Sequence, residues 1–275
     1  MDEIEGKNRP EPLRISAKIR RLTGRAIYRY DMITPGDRIA VGVSGGKDSL
    51  LLLCILKFIK TYSPVKYDLQ AFSVDMTNGQ WDPAPLQTLC DSLQVPLHVI
   101  PYAIEHIIDV KREESPCSLC ANLRRGILNA AAKKAGCNKL ALGHNLDDVV
   151  ETGLMNLLRN GRFRSFQPKL WHDRAEMWLI RPMIYLSEFQ IRNELDRLGV
   201  ATFQHCCKYG ADTERSRTKS LIAELKPRFP DLKQSILHAL ENHAPADHWT
   251  ATPRLYAGVY ESDRPVSDSE RQPDL

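Results

Sequence analysis

VGVSGGKDSLLLLCILKFI, residues 41–59, joins two apolar runs through six residues that are all glycine or polar, Ser44 to Ser49. The run before them, DRIAVGV (37–43), reads as a short buried strand, and the run from about Asp48 to Thr61 reads as a helix. A strand, a glycine turn and a helix start make an anion site, because the unpaired N–H groups and the positive end of the helix point at the ligand. Gly45 and Gly46 let backbone and ligand approach closely. Ser44 and Ser49 supply hydroxyls, Lys47 supplies a positive charge, and Asp48 is suited to face a magnesium ion. The spacing excludes a Walker A loop: Val41 stands where that loop has its first glycine, and Asp48 follows Lys47 where a Ser or Thr is required. The dinucleotide-binding glycine pattern is absent as well.

Outward from this turn, strand-like and helix-like stretches alternate. YDLQAFSVDM and PLHVIPY read as strands, DPAPLQTLCDSLQ as a helix, and SPCSLCANLRRGILNAAAKKAG as a turn feeding a helix. CNKLALGHN is a strand ending in a polar turn, LDDVVETGLMNLLRNG a helix, EMWLIRPMIYL a strand and turn, and SEFQIRNELDRLG a helix with Ser187 as N-cap. This order predicts an α/β fold with a mostly parallel, doubly wound sheet. Ligands of such sheets bind beyond the carboxyl ends of the strands, where the glycine turn, Asp75 and GHNLDD (143–148) all fall. Residues 12–33 read as a basic helix with Ile15, Ile19 and Leu22 at helical spacing, and residues 213–242 as a helical extension broken near Pro227 and Pro230. The expected organisation is a polar segment and basic helix over 1–25, the catalytic domain with its C-terminal helices over 26–242, and a disordered Pro-, Asp- and Ser-rich tail over 243–275.

The chain has 275 residues, 43% of them hydrophobic, enough for a sizeable core. No apolar run approaches the roughly 18–20 residues needed to span a bilayer, and the N-terminus has no apolar signal segment. A cytoplasmic protein without a membrane partner is expected. Seven cysteines are too sparse for a secreted disulfide framework. Cys54, Cys90 and Cys137 sit in helix-like or helix-end patterns that suit plain packing. Cys117 and Cys120 form a CxxC pair, which alone fits half a zinc site, a redox pair or two legs of an iron–sulfur cluster. The adjacent Cys206 and Cys207 chelate one ion awkwardly, so one of them completes a set of three thiolates. Three thiolates suit a 4Fe–4S cluster with one iron open; three buried thiols, or persulfide chemistry without a cluster, are the other readings.

SGGKDS resembles the PP-loop of the ATP pyrophosphatase superfamily, which cleaves ATP between the α and β phosphates and adenylates a carbonyl oxygen. Together with CSLCANLRRGIL, LALGHNLDD, GRFRSFQPKL and IRPMIYLSE it resembles, from about residue 20 to 240, the tRNA 2-thiocytidine biosynthesis (TtcA) family. The resemblance implies ATP and Mg2+ bound by Ser44, Gly45, Gly46, Lys47, Asp48, Ser49, Asp75, Gly143 and His144. It assigns catalytic work to Lys47, Asp48 and Asp148, although Asp147 and Asp148 equally suit a helix N-terminus. It implies a 4Fe–4S cluster on Cys117, Cys120 and Cys207, with Cys206 as the alternative third ligand. Its reaction adenylates the 2-oxygen of a tRNA cytidine, position 32, and replaces it with sulfur. A sulfur donor such as a cysteine desulfurase and a homodimer come with the resemblance. The family usually has two histidines before the acidic pair; here His144 is followed by Asn145.

Net charge is only +4, yet cations cluster at Lys111 to Lys134, at Arg159 to Lys169 and at Lys208 to Lys219, which suits a folded RNA partner. Phe163 and Phe166 lie among arginines and could stack on a base or belong to the core. Two other functions stay open: a PP-loop ligase of the lysidine-synthetase type, which needs no paired cysteines, and a metal-stabilised RNA-binding module without catalysis.

Overall fold

Strand β1 (Arg38–Gly42) lies in the middle of a six-stranded sheet of order β3-β2-β1-β4-β6-β5. A computed structural model describes residues 13–111, 116–203 and 214–242, without the side chains of 109, 111 and 116–118. The expected polar segment 1–11 and the tail 243–275 lie outside the described residues. After β1 the chain runs through α2 (Lys47–Tyr62), β2 (Asp68–Asp75), α3 (Ala84–Ser92) and β3 (Leu97–Pro101), extending the sheet to one side. Helices α4 (Ile104–Lys111) and α5 (Pro116–Lys134) then carry it back across β1 to β4 (Lys139–Ala141). Helix α6 (Leu146–Asn160) leads to β5 (Lys169–His172) and β6 (Met177–Ile180). Strand β5 pairs antiparallel with β6, and every other pairing is parallel. Helices α7 (Glu188–Leu198), α8 (Glu214–Leu225) and α9 (Leu232–Glu241) follow, preceded at the start of the chain by α1 (Ala17–Arg29).

The strand pleat sorts the core into two layers. Ile39 and Val41 of β1 face the larger one, with the leucines of α2, Ile19 and Ala26 of α1, and Ile191 and Leu195 of α7. Ala40 faces the other, with Phe72, Leu140, Leu179 and Ala132 of α5. Cys54, Cys90 and Cys137 are buried in these layers; burial holds the first two thiols up at about 12 and about 11 and raises the third, so they are packed, protonated groups.

Helix α1 runs through position 25, where the sequence suggests a boundary, and Ile15, Ile19 and Ala26 belong to the main core. It stops at Arg29, short of residue 33, because Asp31 takes a left-handed conformation (φ +46°) and Asp37 caps the Thr34 turn. Two elements escape the sequence reading: α4, with Ile104, Ile107 and Ile108 at helical spacing, and the short β5. The chain partitions into residues 1–240 and 241–275, and the second unit falls almost wholly outside the described residues.

At the amino ends of the strands, Lys139 opens β4 buried, with Nζ 2.6 Å from Asp37 Oδ2 and 3.0 Å from the Met32 carbonyl. Burial works to raise the Asp37 carboxyl, but the Lys139 ammonium, the Thr34 N–H and the Asn138 amide together hold it below its ordinary value. Its contribution to stability is therefore complete above the unfolded carboxyl pKa and is lost as pH falls through the lower folded one. Replacing Lys139 by Met strands a buried carboxylate, and denaturant unfolding is expected to show a loss of about 3–5 kcal/mol at neutral pH that shrinks in acid.

Candidate functional site

The chain winds from β1 outward to β3 and then returns to β4 on the other flank of β1, so β1 and β4 bracket the topological switch point, where a crevice opens at the carboxyl ends of the strands. Val41 pairs with Ala141, which sets the SGGKDS turn beside the turn that holds Gly143, His144 and Asn145. The crevice is a cavity of about 540 Å3. Its walls include Ser44, Gly46, Asp48 and Ser49 on one side, Asp75 and Met76 at the end of β2, Cys120, Arg124 and Arg125 on α5, and Gly143 and His144.

Each part of the glycine turn has a definable task. Gly45 has φ +77°, and a Cβ there would lie 2.1 Å from the Phe203 carbonyl oxygen, whose residue also donates its N–H to the Gly45 carbonyl at 3.1 Å. Gly46 has an ordinary φ of −78° and caps α2; a Cβ on it would meet nothing nearer than Ser44 Oγ at 3.6 Å. Gly45 is thus demanded by the fold, whereas nothing in the protein crowds a Cβ on Gly46, which lines the cavity. The Ser49 hydroxyl donates to the Gly46 carbonyl at 2.9 Å and accepts from the Ser44 N–H at 3.1 Å, so it staples the turn. The Ser44 hydroxyl, 3.3 Å from Ser49 Oγ, keeps the proton that can be redirected to a ligand.

Lys47 does not line the large cavity. Its ammonium lies 3.1 Å from both Asp48 Oδ2 and Glu188 Oε1, in a second, smaller cleft of about 280 Å3. Burial would lower its pKa, but these two carboxylates raise it. Glu188, first residue of α7, is bonded to Lys219 at 2.7 Å and to Lys47, and these partners hold its carboxyl at about 2. Asp48 lines both cavities and accepts from Asn145 Nδ2 at 2.9 Å. Asn145 in turn caps α6, in a box where its side chain accepts from the Asp148 N–H and Asp148 accepts from the Asn145 N–H. Asn145 therefore ties the glycine turn to α6.

The acidic pair is engaged in structure. Asp148 completes that box and bonds Arg215 at 2.8 Å; burial raises its carboxyl despite the arginine. Asp147 accepts from the Glu188 N–H at 2.9 Å and from Lys233 at 2.5 Å. Asp75 is buried at the cavity wall, but its carboxylate accepts from Thr77 Oγ1 at 2.6 Å, from the Thr77 N–H at 2.9 Å and from the Gly79 N–H. It shapes the turn after β2 that carries Met76.

His144 is held from behind. Buried Arg181 donates its Nε–H to His144 Nδ1 at 3.1 Å and an Nη1–H to the Gln167 carbonyl at 2.6 Å, with its guanidinium over Phe166 at 4.9 Å. Phe166 packs against the His144 ring, with centroids 4.7 Å apart, and against the core, so it backs the histidine and is not a free stacking platform. An accepting Nδ1 leaves the proton on Nε2. Burial, followed by Arg181, Arg215 and Arg125, lowers the imidazole pKa to about 3. His144 is a neutral hydrogen-bond donor, not a base. Arg181, Glu188 and Asn145 have no assigned role in the sequence reading, although they lie within the stretches IRPMIYLSE and LALGHNLDD that carry the resemblance.

Cys120 lines the large cavity in the first turns of α5, with Sγ 3.7 Å from Met76 Sδ. No group of three His, Cys, Asp or Glu able to hold a metal ion is assembled among the described residues. The Cys117 side chain, Cys206 and Cys207 lie outside them, as do the Lys111 side chain, Arg112 and Lys208. A soft sulfur near a helix N-terminus, with Met76 and Leu128 in the same wall, fits a thiolate-held group better than a hard cation.

Gly46→Ala is expected to fold like the wild type and to lose ATP affinity in equilibrium binding, while Gly45→Ala lowers the unfolding midpoint as well. Nitrogen-15 spectra of His144 are expected to show the Nε2–H tautomer without titration over about pH 5–8, where an ordinary imidazole changes charge. In Arg181→Met its pKa rises, since one positive neighbour is gone, yet burial keeps it below the ordinary value.

Residues 15–225 match the PP-loop domain family. The chain is 40% identical over 232 residues to a protein of Geobacter metallireducens named tRNA-cytidine(32) 2-sulfurtransferase, a match covering 83% of this chain and 90% of that one. A protein of the same name from Aliivibrio salmonicida is 34% identical over 249 residues, covering 90% of this chain and 81% of the other. Among solved structures, the U34-tRNA thiolase NcsA from Methanococcus maripaludis, determined with its 4Fe–4S cluster, superposes with a TM-score of 0.69 at 23% identity, over 82% of this chain and 76% of that one; this likeness is one of fold. With the family matched over most of its length and relatives of one name above 30% identity, the chain belongs to the PP-loop family and, within it, to the tRNA-cytidine(32) 2-sulfurtransferases.

Proposed function

We infer that the chain is an ATP-dependent sulfurtransferase that converts a cytidine of tRNA, at position 32, into 2-thiocytidine. The observation that carries this reading is one cavity with the glycine turn on one wall and the Cys120 thiol on another. Met76, Trp81, Ile104 and Ile108 give that cavity an apolar side suited to a purine face, and the first amides of α2 suit its phosphates. The 2-oxygen of cytosine attacks the α phosphorus, an O–P bond forms, and pyrophosphate leaves. Sulfur at the sulfide level then attacks C2, and the oxygen departs with AMP, so no net oxidation or reduction is required. The chemical logic is leaving-group activation: a phosphorylated oxygen leaves where a carbonyl oxygen does not.

Ser44, Gly45, Gly46 and the amides at the start of α2 would bind the phosphates. Lys47 and Asp48 would act on phosphate and Mg2+, with Glu188 and Asn145 holding them in place. Arg124, Arg125 and the Nε2–H of His144 would stabilise negative charge that builds on the transferred oxygen and phosphate. Asp148 and Asp75 are assigned to positioning. Cys117, Cys120 and Cys207, or Cys206 in its place, would hold a 4Fe–4S cluster, which when bound supplies a place for the sulfur to be transferred. A tRNA substrate puts the work in the cytoplasm, and no helix among the described residues is long and apolar enough to cross a membrane. Sulfur supply by a cysteine desulfurase and assembly as a homodimer rest on family resemblance alone.

The test is anaerobic reconstitution of the full chain with ATP, Mg2+, sulfide and tRNA, read by nucleoside mass spectrometry. Wild type is expected to form 2-thiocytidine and AMP, and Cys120→Ser to bind ATP normally while losing thiolation. Unchanged thiolation by Cys120→Ser would remove the thiolate from the reaction, AMP with an aminated and unthiolated cytidine would favour the ligase, and silent Lys47→Ala and Asp48→Ala variants would favour a binding module without catalysis.

A further inference from the structure

Six cations of the clusters that suggest RNA in the sequence are held in ion pairs. Lys133 is paired with Glu176, Arg159 and Arg217 with Glu214, Lys169 with Asp31, Lys219 with Glu188, and Arg215 with both Asp148 and Glu151. An ion-paired cation offers an incoming phosphate little net charge. The surplus lies elsewhere. Residues 13–30 hold six cations, Arg14, Lys18, Arg20, Arg21, Arg25 and Arg29, and no acid, so against a chain total of +4 everything else is net −2.

Helix α1 displays this charge. Lys18, Arg21 and Arg25 are exposed and spaced by three and four residues, which sets them on one stripe, and Tyr28 continues it with 90% of its surface in solvent. At 1.5 Å per residue the stripe is about 15 Å long. None of Lys18, Arg20, Arg21 and Arg25 is paired with a carboxylate among the described residues. Two arginines are held at the surface by aromatic rings: Arg25 lies 4.8 Å from the Tyr185 centroid and Arg20 lies 5.5 Å from that of Phe58. These contacts reduce the ordering cost of a later phosphate contact. The opposite face of α1, with Ile19, Thr23 and Ala26, is fixed in the domain, so the charge is presented on a rigid element. A large exposed aromatic beside unpaired cations matches the composition of nucleic-acid surfaces, where rings stack on bases and cations meet phosphates.

We propose that the exposed stripe of α1, centred on Lys18, Arg21 and Arg25, is a docking surface for the phosphate backbone of the tRNA substrate. This proposal rests on the tRNA-modifying function inferred above and adds where the RNA is captured. No residue of α1 lines either cavity, so the stripe governs affinity and encounter and not the rate of the bound complex.

The test titrates the full chain with tRNA between about 50 and 200 mM salt. The triple variant Lys18→Gln, Arg21→Gln, Arg25→Gln keeps good helix formers. Its log K against log salt slope is expected to be shallower by about 2 to 3, at roughly 0.7–0.9 per lost phosphate contact. KM for tRNA rises, while kcat at saturating tRNA and iron content stay at wild-type values. Unchanged affinity and slope would overturn the proposal. So would retained tRNA binding combined with lost binding to phosphatidylserine vesicles, which would make the stripe a membrane surface. Should the triple variant fold poorly, acetylation of Lys18 in the wild type decides: protection by tRNA supports the proposal and its lack overturns it. If wild type makes no 2-thiocytidine, the functional reading fails; if it thiolates tRNA but binding ignores α1, only this inference does.

Discussion

The parallel pairing of β1 with β4 is the contact on which the site depends. The two strands are separated by about a hundred residues, and the ladder that joins them is only three residue pairs long. It brings the glycine turn against the Gly143–Asn145 turn so closely that a Cβ on Gly143 would lie 3.0 Å from the Asp48 carbonyl carbon. One hydrogen bond, from the Asn145 amide to Asp48, then couples the starts of α2 and α6. Two helix N-termini thus converge on one crevice, and the positive ends of both dipoles favour anions there. A slip of one residue in this short register would invert the faces of β4 and dismantle the crevice together with the core.

Around this junction the charged groups neutralise one another. Lys47, Asp48, Glu188 and Lys219 form one chain of contacts, and Asp148, Glu151 and Arg215 form another. Both line the small cleft beside the glycine turn. Such half-buried networks add little stability, since desolvation offsets most of the attraction. Their effect is geometric: each side chain is fixed before a ligand arrives, which is what electrostatic stabilisation of a transition state requires. The large cavity differs. Arg124 and Arg125 share its lining with Asp48, Asp75 and Glu105, so it carries both signs of charge, and the buried imidazole of His144 stays neutral among them.

Much of this was readable from the chain. The alternation of apolar runs gave the parallel sheet because each run is bounded by glycine, proline or polar turns, and the motif positions put the site beyond the carboxyl ends of the strands. The Ser187 cap is present, with Gln190 completing a capping box. The glycine turn was legible because its residue types are unsuited to packing. What could not be read is which polar groups the fold consumes. Ser49, Asp75 and Asp147 look like ligands in sequence, but their hydrogen bonds are spent on turns and helix starts, a matter decided by partners as far away as Lys233. Arg181 was hidden for the converse reason: its partners, His144 and Gln167, lie 37 and 14 residues away. Strand β5 was hidden because four residues against one edge carry no periodic signal.

The same logic explains why charge is divided between two regions. An unpaired cation in the small cleft would attract any anion, including free phosphate and the product pyrophosphate, and would slow release. Pairing Lys47, Arg215 and Lys219 restricts strong binding to ligands that can displace or bridge those pairs, which selects by shape at short range. Capture of a large polyanion needs the reverse: unpaired charge on an exposed, rigid face, felt across a Debye length of about 8–10 Å at physiological salt. Helix α1 meets that need and the small cleft does not. A chain with a net charge of only +4 can therefore serve a highly charged substrate, because what matters for encounter is where its six N-terminal cations stand, not the total.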